Sequence, residues 1–409
     1  MTSTKLTNYI LVAMLLGILA GYLVNSHGAD SGFSVQYVTY ISILTDIFLR
    51  LIKMIIAPLV FATMAVGIAR MGDASTIGRV GLKTFAWFIS MSLVSLLLGL
   101  VMVNLLHPGV GLDLALPDVA ANTAISKGGL NLPDFVKHIF PTSILDAMAK
   151  NEILQIVVFS VFFGVAAAGF GERAAEFIRN LDMLSHIMLK ITTAVMKFAP
   201  VAVFAAVSSV VAENGLSILL TYGKFMFSFY AAIVVLWIVI IFISSIFLKR
   251  RALKLAWMLR EPALLAFTTA SSEAAYPLTL EQLERFGCKN KIASFVLPVG
   301  YSFNLDGSMM YCTFAAIFIA QVYGVEMSLG QQLLMLLVLM VTSKGIAGVP
   351  RASLVVIAAT LSQFHLPEAG ILLILGVDHF LDMARSATNV LGNGMATAVV
   401  SKWEGELSQ

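Results

Sequence analysis

The chain repeats one pattern: long apolar runs joined by polar connectors. The runs lie at roughly 8–25, 38–71, 80–106, 144–171, 182–212, 217–248, 292–323 and 367–401. A helix crosses the hydrocarbon core of a bilayer with about 17–25 apolar residues. All eight runs reach that length, and the longer ones imply tilt, kinks or extra turns. Composition agrees, with 59% hydrophobic and 12% charged residues, against about 25% charged in a soluble domain. The sequence therefore predicts an all-α polytopic membrane protein with eight transmembrane helices.

A net charge of +3, scattered along the chain, gives no footprint for nucleic acid. The two cysteines, Cys288 and Cys312, are in neither a paired nor a metal-ligand spacing, which argues against redox or zinc chemistry. The run from Tyr9 to Val24 lacks a cleavage site and reads as a first span rather than a cleavable signal peptide.

Orientation follows from Lys and Arg in the short connectors. Arg70, Arg79 and Lys83 lie between runs two and three, and Arg173 and Arg179 follow run four. Lys249, Arg250, Arg251, Lys254 and Arg260 follow run six. These positions alternate correctly when both termini are cytoplasmic, in the plasma (inner) membrane of a cell.

Two regions do not fit a simple series of spans. Residues 261–285 are too polar to cross, with Thr268, Thr269, Ser271, Ser272 and Glu273 at their centre and basic residues on both sides. They read as a hairpin that enters and leaves from the cytoplasm. Residues 327–364 form two apolar arms around 342-TSKGIAGVPRAS-353, with no Lys or Arg in the flanks, and read as a hairpin opening outward. Non-helical backbone at membrane depth needs a protein or aqueous surround. Each hairpin is followed by a span with a polar motif, 304-NLDGS-308 and 382-DMARSATN-389. Two hairpin-plus-helix units of opposite orientation constitute an inverted repeat, which places a transport site near the midplane.

The last run carries Asp378, Asp382, Arg385, Asn389 and Asn393. At helical spacing these five fall within an arc of about 80°. Two aspartates and an arginine facing lipid would cost roughly 8–10 kcal/mol, of which a dozen apolar residues recover only about 6. The stripe must face protein or a cavity. An ion pair of Arg385 with Asp382 on the same helix accounts for only part of it, leaving Asp378, Asn389, Asn393 and, on another helix, Asp306. Gly307 is expected to break its helix, and carbonyls freed beside Asp306 suit a hard cation such as sodium. Backbone N–H groups at Ser271–Ser272 and Gly348–Val349 suit a carboxylate. N–H donors for one carboxylate, Arg385 for a second and Asp382 for an ammonium group together describe an acidic amino acid.

These residues resemble the glutamate transporter family, the dicarboxylate/amino acid:cation symporters, and most closely its bacterial proton/sodium-glutamate members. The likeness runs from 51-LIKMIIAPLVFATM-64 through Thr269-Ala270-Ser271-Ser272, NLDGS, 345-GIAGVP-350 and DMARSATN to 402-KWEGE-406. It implies a lipid-embedded homotrimer working as an elevator. Residues 1–71 would carry scaffold helices 1–2, and 79–107 helix 3 of the mobile transport domain. Residues 144–248 would carry helices 4–6, the first two scaffold and the sixth mobile. The transport core, with hairpin 1, helix 7, hairpin 2 and helix 8, would be 254–409.

By the same resemblance Asp382 binds the substrate amine and Arg385 its side-chain carboxylate. Ser271, Ser272, Ser308, Val349, Ser386 and Asn389 complete the substrate shell. Sodium positions map to Ser92, Gly300, Ser302, Asn304, Asp306, Ser343, Ile346, Asn389 and Asn393. No cofactor is implied beyond sodium or protons as coupling ions.

Several positions depart from the sodium-coupled pattern: Asn393 replaces a carboxylate, Leu305 a methionine, and Met91 a hydroxyl residue. Cys312 stands where animal carriers have a protonatable glutamate, leaving Asp306, Asp378 or Glu273 to carry a proton. Some archaeal members have an arginine where this chain has Ala270, and by the resemblance Arg351 on the second hairpin is a candidate to substitute for it. Lys344, His107, His138 and His365 read as interfacial or carbonyl-bonding residues. The expected activity is uptake of glutamate or aspartate coupled to sodium, protons or both. A C4-dicarboxylate:proton symporter of the same family is the alternative, although its members typically lack the amine-binding aspartate. An enzyme with Asp306 and Asp382 as an aspartyl pair would need a shared proton, which Arg385 beside Asp382 opposes. A channel is the remaining class.

Overall fold

A computed structural model describes residues 3–28, 32–70, 74–110, 137, 139–215, 222–342, 352–375 and 377–408. These residues are helical throughout, apart from turns, connectors and one isolated bridge between Cys288 and Leu407. Six helical stretches among them are long and apolar enough to cross a membrane, and Ile153–Gly169 and Leu329–Met340 are shorter apolar helices.

The first group of helices comprises α1 (Ser3–Asn25), α2 (Gly32–Ala69), α4 (Ile144–Lys150), α5 (Ile153–Gly169), α6 (Ala175–Val195) and α7 (Ala199–Asn214). Gly17 and Gly21, four residues apart, let α1 lie directly on α7. A Cβ at Gly17 would meet Phe204 O at 2.8 Å, and one at Gly21 would meet Ser208 O at 2.6 Å. Small residues at this spacing are the usual means of close helix approach in a membrane. α2 packs against α5, α6 and α7, fastened by a hydrogen bond between the Tyr37 and Ser208 hydroxyls at 2.7 Å.

The second group holds α3 (Ala74–Leu106), α8 (Gly223–Leu248), α9 (Arg251–Met258), α10 (Arg260–Thr269), α11 (Tyr276–Phe286), α12 (Asn290–Phe303) and α13 (Asp306–Val322). It continues with α14 (Leu329–Thr342), α15 (Ala352–Gln363), α16 (Ile371–Leu375) and α17 (Asp378–Trp403). α17 is buried over most of its length, enclosed by α8, α10, α12 and α13, with α3 lying along α13. α2 touches α12, and α7 touches α10, across the boundary between the groups.

Residues 261–285 turn back on themselves as expected. The turn uses Ala270 in the left-handed region (φ 49°) and a short 3₁₀ segment at Glu273–Ala275. α9, which leads into the hairpin, meets the hairpin's far end, because Arg251 donates to Phe286 O at 2.9 Å. The C-terminus joins the same cluster. Arg251 donates to Ser408 O at 2.8 Å and Lys289 N–H to Glu406 O at 3.2 Å. Glu404, only 3% exposed, accepts Lys83 at 2.6 Å and Arg79 at 3.0 Å. Hairpin base, start of α3, start of α12 and chain end therefore share one end of the molecule. The tip of the second hairpin, 343–351, lies outside the described residues, and with it Ser343, Lys344, Ile346, Val349 and Arg351.

Four expected segments differ in detail. The run 144–171 is two helices, because Asn151 takes a left-handed conformation (φ 54°) that asparagine tolerates better than most residues. The run 182–212 tightens into a 3₁₀ turn at Met196–Phe198 just before Pro200, which has no N–H to continue an α-helical ladder. The last run leaves the helical path at Val377 (φ -111°, ψ -2°), just before α17 begins. The break in run seven falls at Asn304–Leu305, not at Gly307, which lies in the first turn of α13. That glycine is needed for contact: a Cβ there would meet Arg385 O at 2.7 Å.

Candidate functional site

α17 presents its polar stripe to α13, and Arg385 is at the centre. Its guanidinium is fully enclosed and reaches back along its own helix to two carboxylates. Nη2 lies 2.9 Å from Asp382 Oδ1 and 3.2 Å from Asp378 Oδ1. The aspartates differ in exposure, at 4% for the Asp378 side chain and 34% for Asp382. Asp378 is held further by the Tyr311 hydroxyl, which donates at 3.0 Å. The Tyr311 ring lies under the guanidinium, 4.1 Å from Cζ to the centroid, in cation–π range. Among the described residues Arg385 Nε and Nη1 are buried with no hydrogen-bond partner. A buried N–H without an acceptor costs about 1–3 kcal/mol or more on a charged group, so these donors are a place where an anionic ligand gains binding energy.

The next turn of α17 ties the stripe to the broken helix. Asn389 Oδ1 accepts the Gly307 N–H at 2.9 Å, and Asn389 Nδ2 donates to Ser308 Oγ at 3.2 Å. The first N–H groups of a helix lack intrahelical acceptors, so the break itself creates the donor that Asn389 satisfies. Ser386 is buried between these two levels. On the far side of the helix, Trp237 Nε1 donates to Thr388 Oγ1 at 2.8 Å and Tyr230 to Phe380 O at 2.7 Å, anchoring α17 to α8.

Below the Arg385 level lies a second polar centre, built from Asn304, Asp306 and Asn393, each no more than 1% exposed. Asn304 Nδ2 donates to Asp306 Oδ2 and to Asn393 Oδ1, both at 3.1 Å, and Ser95 donates to Asp306 Oδ1 at 3.2 Å. Asn304 Oδ1 has no hydrogen-bond partner among the described residues, which leaves a buried acceptor oxygen beside a buried carboxylate. Glycine makes this packing possible. A Cβ at Gly392 would collide with Asp306 Oδ2, and one at Gly300 would stand 2.5 Å from Asn393 Oδ1. A carboxylate with neutral oxygens is a donor set for a hard cation. The residues present therefore fit a hard cation such as sodium, which Asn304, Asp306 and Asn393 would hold.

The other expected residues are placed as follows. Ser92 and Ser302 are buried, and Ser95, one turn beyond Ser92, makes the hydrogen bond to Asp306. The Gly300 carbonyl accepts the Asn304 N–H at 2.8 Å, so one of its two acceptor positions is occupied. Ser271 is engaged locally, its hydroxyl accepting from Ala274 N–H at 3.3 Å, while Ser272 lies half-buried at the turn. Tyr311, Ser95, Trp237 and Thr388 were not singled out from the sequence.

Comparison with known proteins identifies the family. The profile of the sodium:dicarboxylate symporter family matches residues 6–403. The proton/glutamate-aspartate symporter of Escherichia coli (strain K12) is 41% identical over 97% of this chain and 92% of its own length. The proton/sodium-glutamate symport protein of Geobacillus stearothermophilus is 38% identical over 98% and 94%. C4-dicarboxylate transport protein 2 of Polaromonas naphthalenivorans (strain CJ2) is 40% identical over 97% and 88%. With a profile covering nearly every residue and relatives above one-third identity end to end, the chain is a membrane protein of the sodium:dicarboxylate symporter family.

Proposed function

We propose that the chain is a secondary active symporter taking up an acidic amino acid, glutamate or aspartate, driven by sodium, protons or both. The observation that carries this reading is the buried Arg385 guanidinium with unengaged Nε and Nη1, placed beside an open Asp382 and a locked Asp378. The arginine suits the distal carboxylate of a substrate. Asp382 is accessible to an ammonium group, whereas Asp378 is held by Tyr311 and orients the arginine. Ser308, Ser386 and Asn389, with the hairpin positions Ser271, Ser272 and Val349, complete the substrate shell. Relatives named for glutamate and aspartate transport support the same substrate class.

The Asn304–Asp306–Asn393 centre is the cation subsite in this reading. Ser92, Ser302, Gly300, the Asn389 backbone, Ser343 and Ile346 are its further ligands by resemblance. The C4-dicarboxylate reading draws on relatives of that name. Asp382 weighs against it, because a second anion would have to sit beside its carboxylate. The enzyme reading has no support from the comparisons, since the family and its relatives are named as symporters and transport proteins.

Eight spans and two re-entrant hairpins complete the proposed topology, with cytoplasmic termini in the inner membrane. α1, α2 and α4–α7 would be the static scaffold of a homotrimer, and α3 with α8–α17 the moving body. The test is initial uptake of glutamate, aspartate and succinate by purified protein in liposomes, with sodium and pH gradients imposed separately. Uptake of the amino acids that rises with either gradient is expected. Preference for succinate would favour the dicarboxylate reading, and indifference to both gradients would make the protein a uniporter or exchanger.

A further inference from the structure

Outside the polar centres, the molecule has one large cavity among those described, of about 390 Å³, between α8, α10 and α17. Ligand sites commonly have ~300–1,000 Å³. Its walls are apolar: Val234 and Trp237 come from α8, Leu264 and Phe267 from α10, and Ala387 and Leu391 from α17. Arg260, at the start of α10, also lines it. No water-soluble ligand suits such walls, because little in them would replace its hydrogen bonds to water.

The mouth of the groove has a different character. Arg260 stacks on Trp257, 3.9 Å from Cζ to the ring centroid, and donates Nη1 to Trp257 O at 3.0 Å. None of the described ion pairs uses Arg260. Guanidinium has five N–H donors, so most of its donors remain for another acceptor. The adjoining α9 has an outward face of Leu253 and Trp257, 65% and 67% exposed, beside exposed Lys254, with exposed Lys249 and Arg250 just before it. Exposed leucine and tryptophan alternating with cations mark a helix lying at the bilayer–water boundary. This end of the molecule is the cytoplasmic one by its basic connectors, and anionic lipids are concentrated in that leaflet.

We infer that this groove is a binding site for one anionic phospholipid, its phosphate on Arg260 and an acyl chain between α8, α10 and α17. Charge and depth both select this occupant. The arginine stands at headgroup level with an aromatic platform behind it, and the apolar slot runs inward from it toward Phe267 and Trp237. The inner wall is the helix that carries Arg385, on the face turned away from the polar stripe. An occupant would hold the first arm of the hairpin against α8.

The experiment uses phosphatidylglycerol with a photoreactive group on one acyl chain, and phosphatidylcholine carrying the same group, each with the full chain in nanodiscs. Phosphatidylglycerol should label α8 around 233–237 and α10 around 263–267 at least several-fold more strongly than phosphatidylcholine. Arg260→Gln should abolish that preference, and Arg260→Lys should retain part of it. Val234→Phe, at an exposed position on the groove wall, should reduce labelling by both lipids with Arg260 intact. Monodisperse elution of all variants establishes that they fold. Equal labelling by the two lipids, labelling confined to other helices, or a preference that survives Arg260→Gln would each overturn the inference.

Discussion

Tyr311 and Arg385 form a face-on pair in the core: the guanidinium lies over the phenol ring, and the phenol hydroxyl holds Asp378, one of the arginine's two carboxylate partners. Tyr311 thus orients Arg385 both directly and through Asp378. Tyr311→Phe keeps the ring and removes the hydrogen bond, whose loss beside a charged partner is worth roughly 1.5–3 kcal/mol. Tyr311→Leu removes the cation–π contact as well, ~2 kcal/mol or more when desolvated. Substrate affinity should therefore fall in the order native, Phe, Leu. A leucine variant that binds aspartate as tightly as the native protein would remove Tyr311 from the site.

Arg385→Cys leaves the buried Asp378 and the partly exposed Asp382 without their cation. Breaking a buried pair costs about 3–5 kcal/mol, so acidic amino-acid uptake should fall by two orders of magnitude or more, and small neutral amino acids should gain access. Unchanged affinity for glutamate and aspartate in binding measurements would contradict the assignment of the distal carboxylate to Arg385.

Asp382→Asn should separate two ligand classes. Glutamate and aspartate bring an ammonium group, and succinate does not. Competition assays should show a far greater loss for the amino acids than for succinate, and equal losses would make Asp382 a structural partner of Arg385.

Gly392→Ala tests the cation subsite without touching a polar atom. The added methyl runs into Asp306 Oδ2, so the carboxylate must move off the Asn304–Asn393 cluster. Ion-driven accumulation should drop more than exchange between equally loaded compartments, as it should for Asp306→Asn. If both variants keep the native response to sodium and pH, the coupling ion binds elsewhere.

The chain end responds to acid. Burial pushes the Glu404 carboxyl up, but hydrogen bonds and charge from Lys83 and Arg79 outweigh it and hold the group below its ordinary value of 4.5. Lys289 and Lys291 lower Glu406 in the same way. Carboxylates depressed by folding stabilise the folded form above their ordinary value, and that contribution disappears as pH falls through the lowered one. Hydrogen exchange around Cys288–Lys289, corrected for its intrinsic pH dependence, should show little loss of protection from pH 7 to 5 and a rise in exchange below 4. Glu406→Gln, which removes the pairs with Lys289 and Lys291, should loosen the segment already at pH 7, by about 1 kcal/mol or less per ion pair.

The polar stripe of α17 was legible because five residues on one helix obey one period, and an apolar neighbourhood makes each of them conspicuous. The NLDG motif was legible for the same reason. Tyr311 was not, because an aromatic in 309-MMYCTF-314 looks like any apolar position until α17 is laid beside it. Ser95 and Thr388 are short hydroxyl residues on helices, where bonding to their own backbone is the ordinary expectation. Thr388 does bond Ala384 O, and only the fold reveals Trp237 as its second partner. The exact break in run seven escaped because glycine is the usual suspect, whereas here Asn304 and Leu305 leave the helix and Gly307 serves contact. Hairpin 1 was readable from its flanking charges, but the meeting of its base with Glu404, Glu406 and Ser408 joins residues far apart in sequence.

The site also has a consequence for how the empty protein moves. Among the described residues of the two polar centres, Asp306, Asp378 and Asp382 are three carboxyl groups beside one guanidinium, so acidic groups outnumber basic ones there. An acidic amino acid adds one more. Carrying such a surplus through a low-dielectric barrier costs ~2.5–3.5 kcal/mol per uncompensated charge even on lenient scales. In the proposed elevator, cations would therefore accompany the return journey as well as the loaded one, and a carrier stripped of them is expected to stall in place rather than slip.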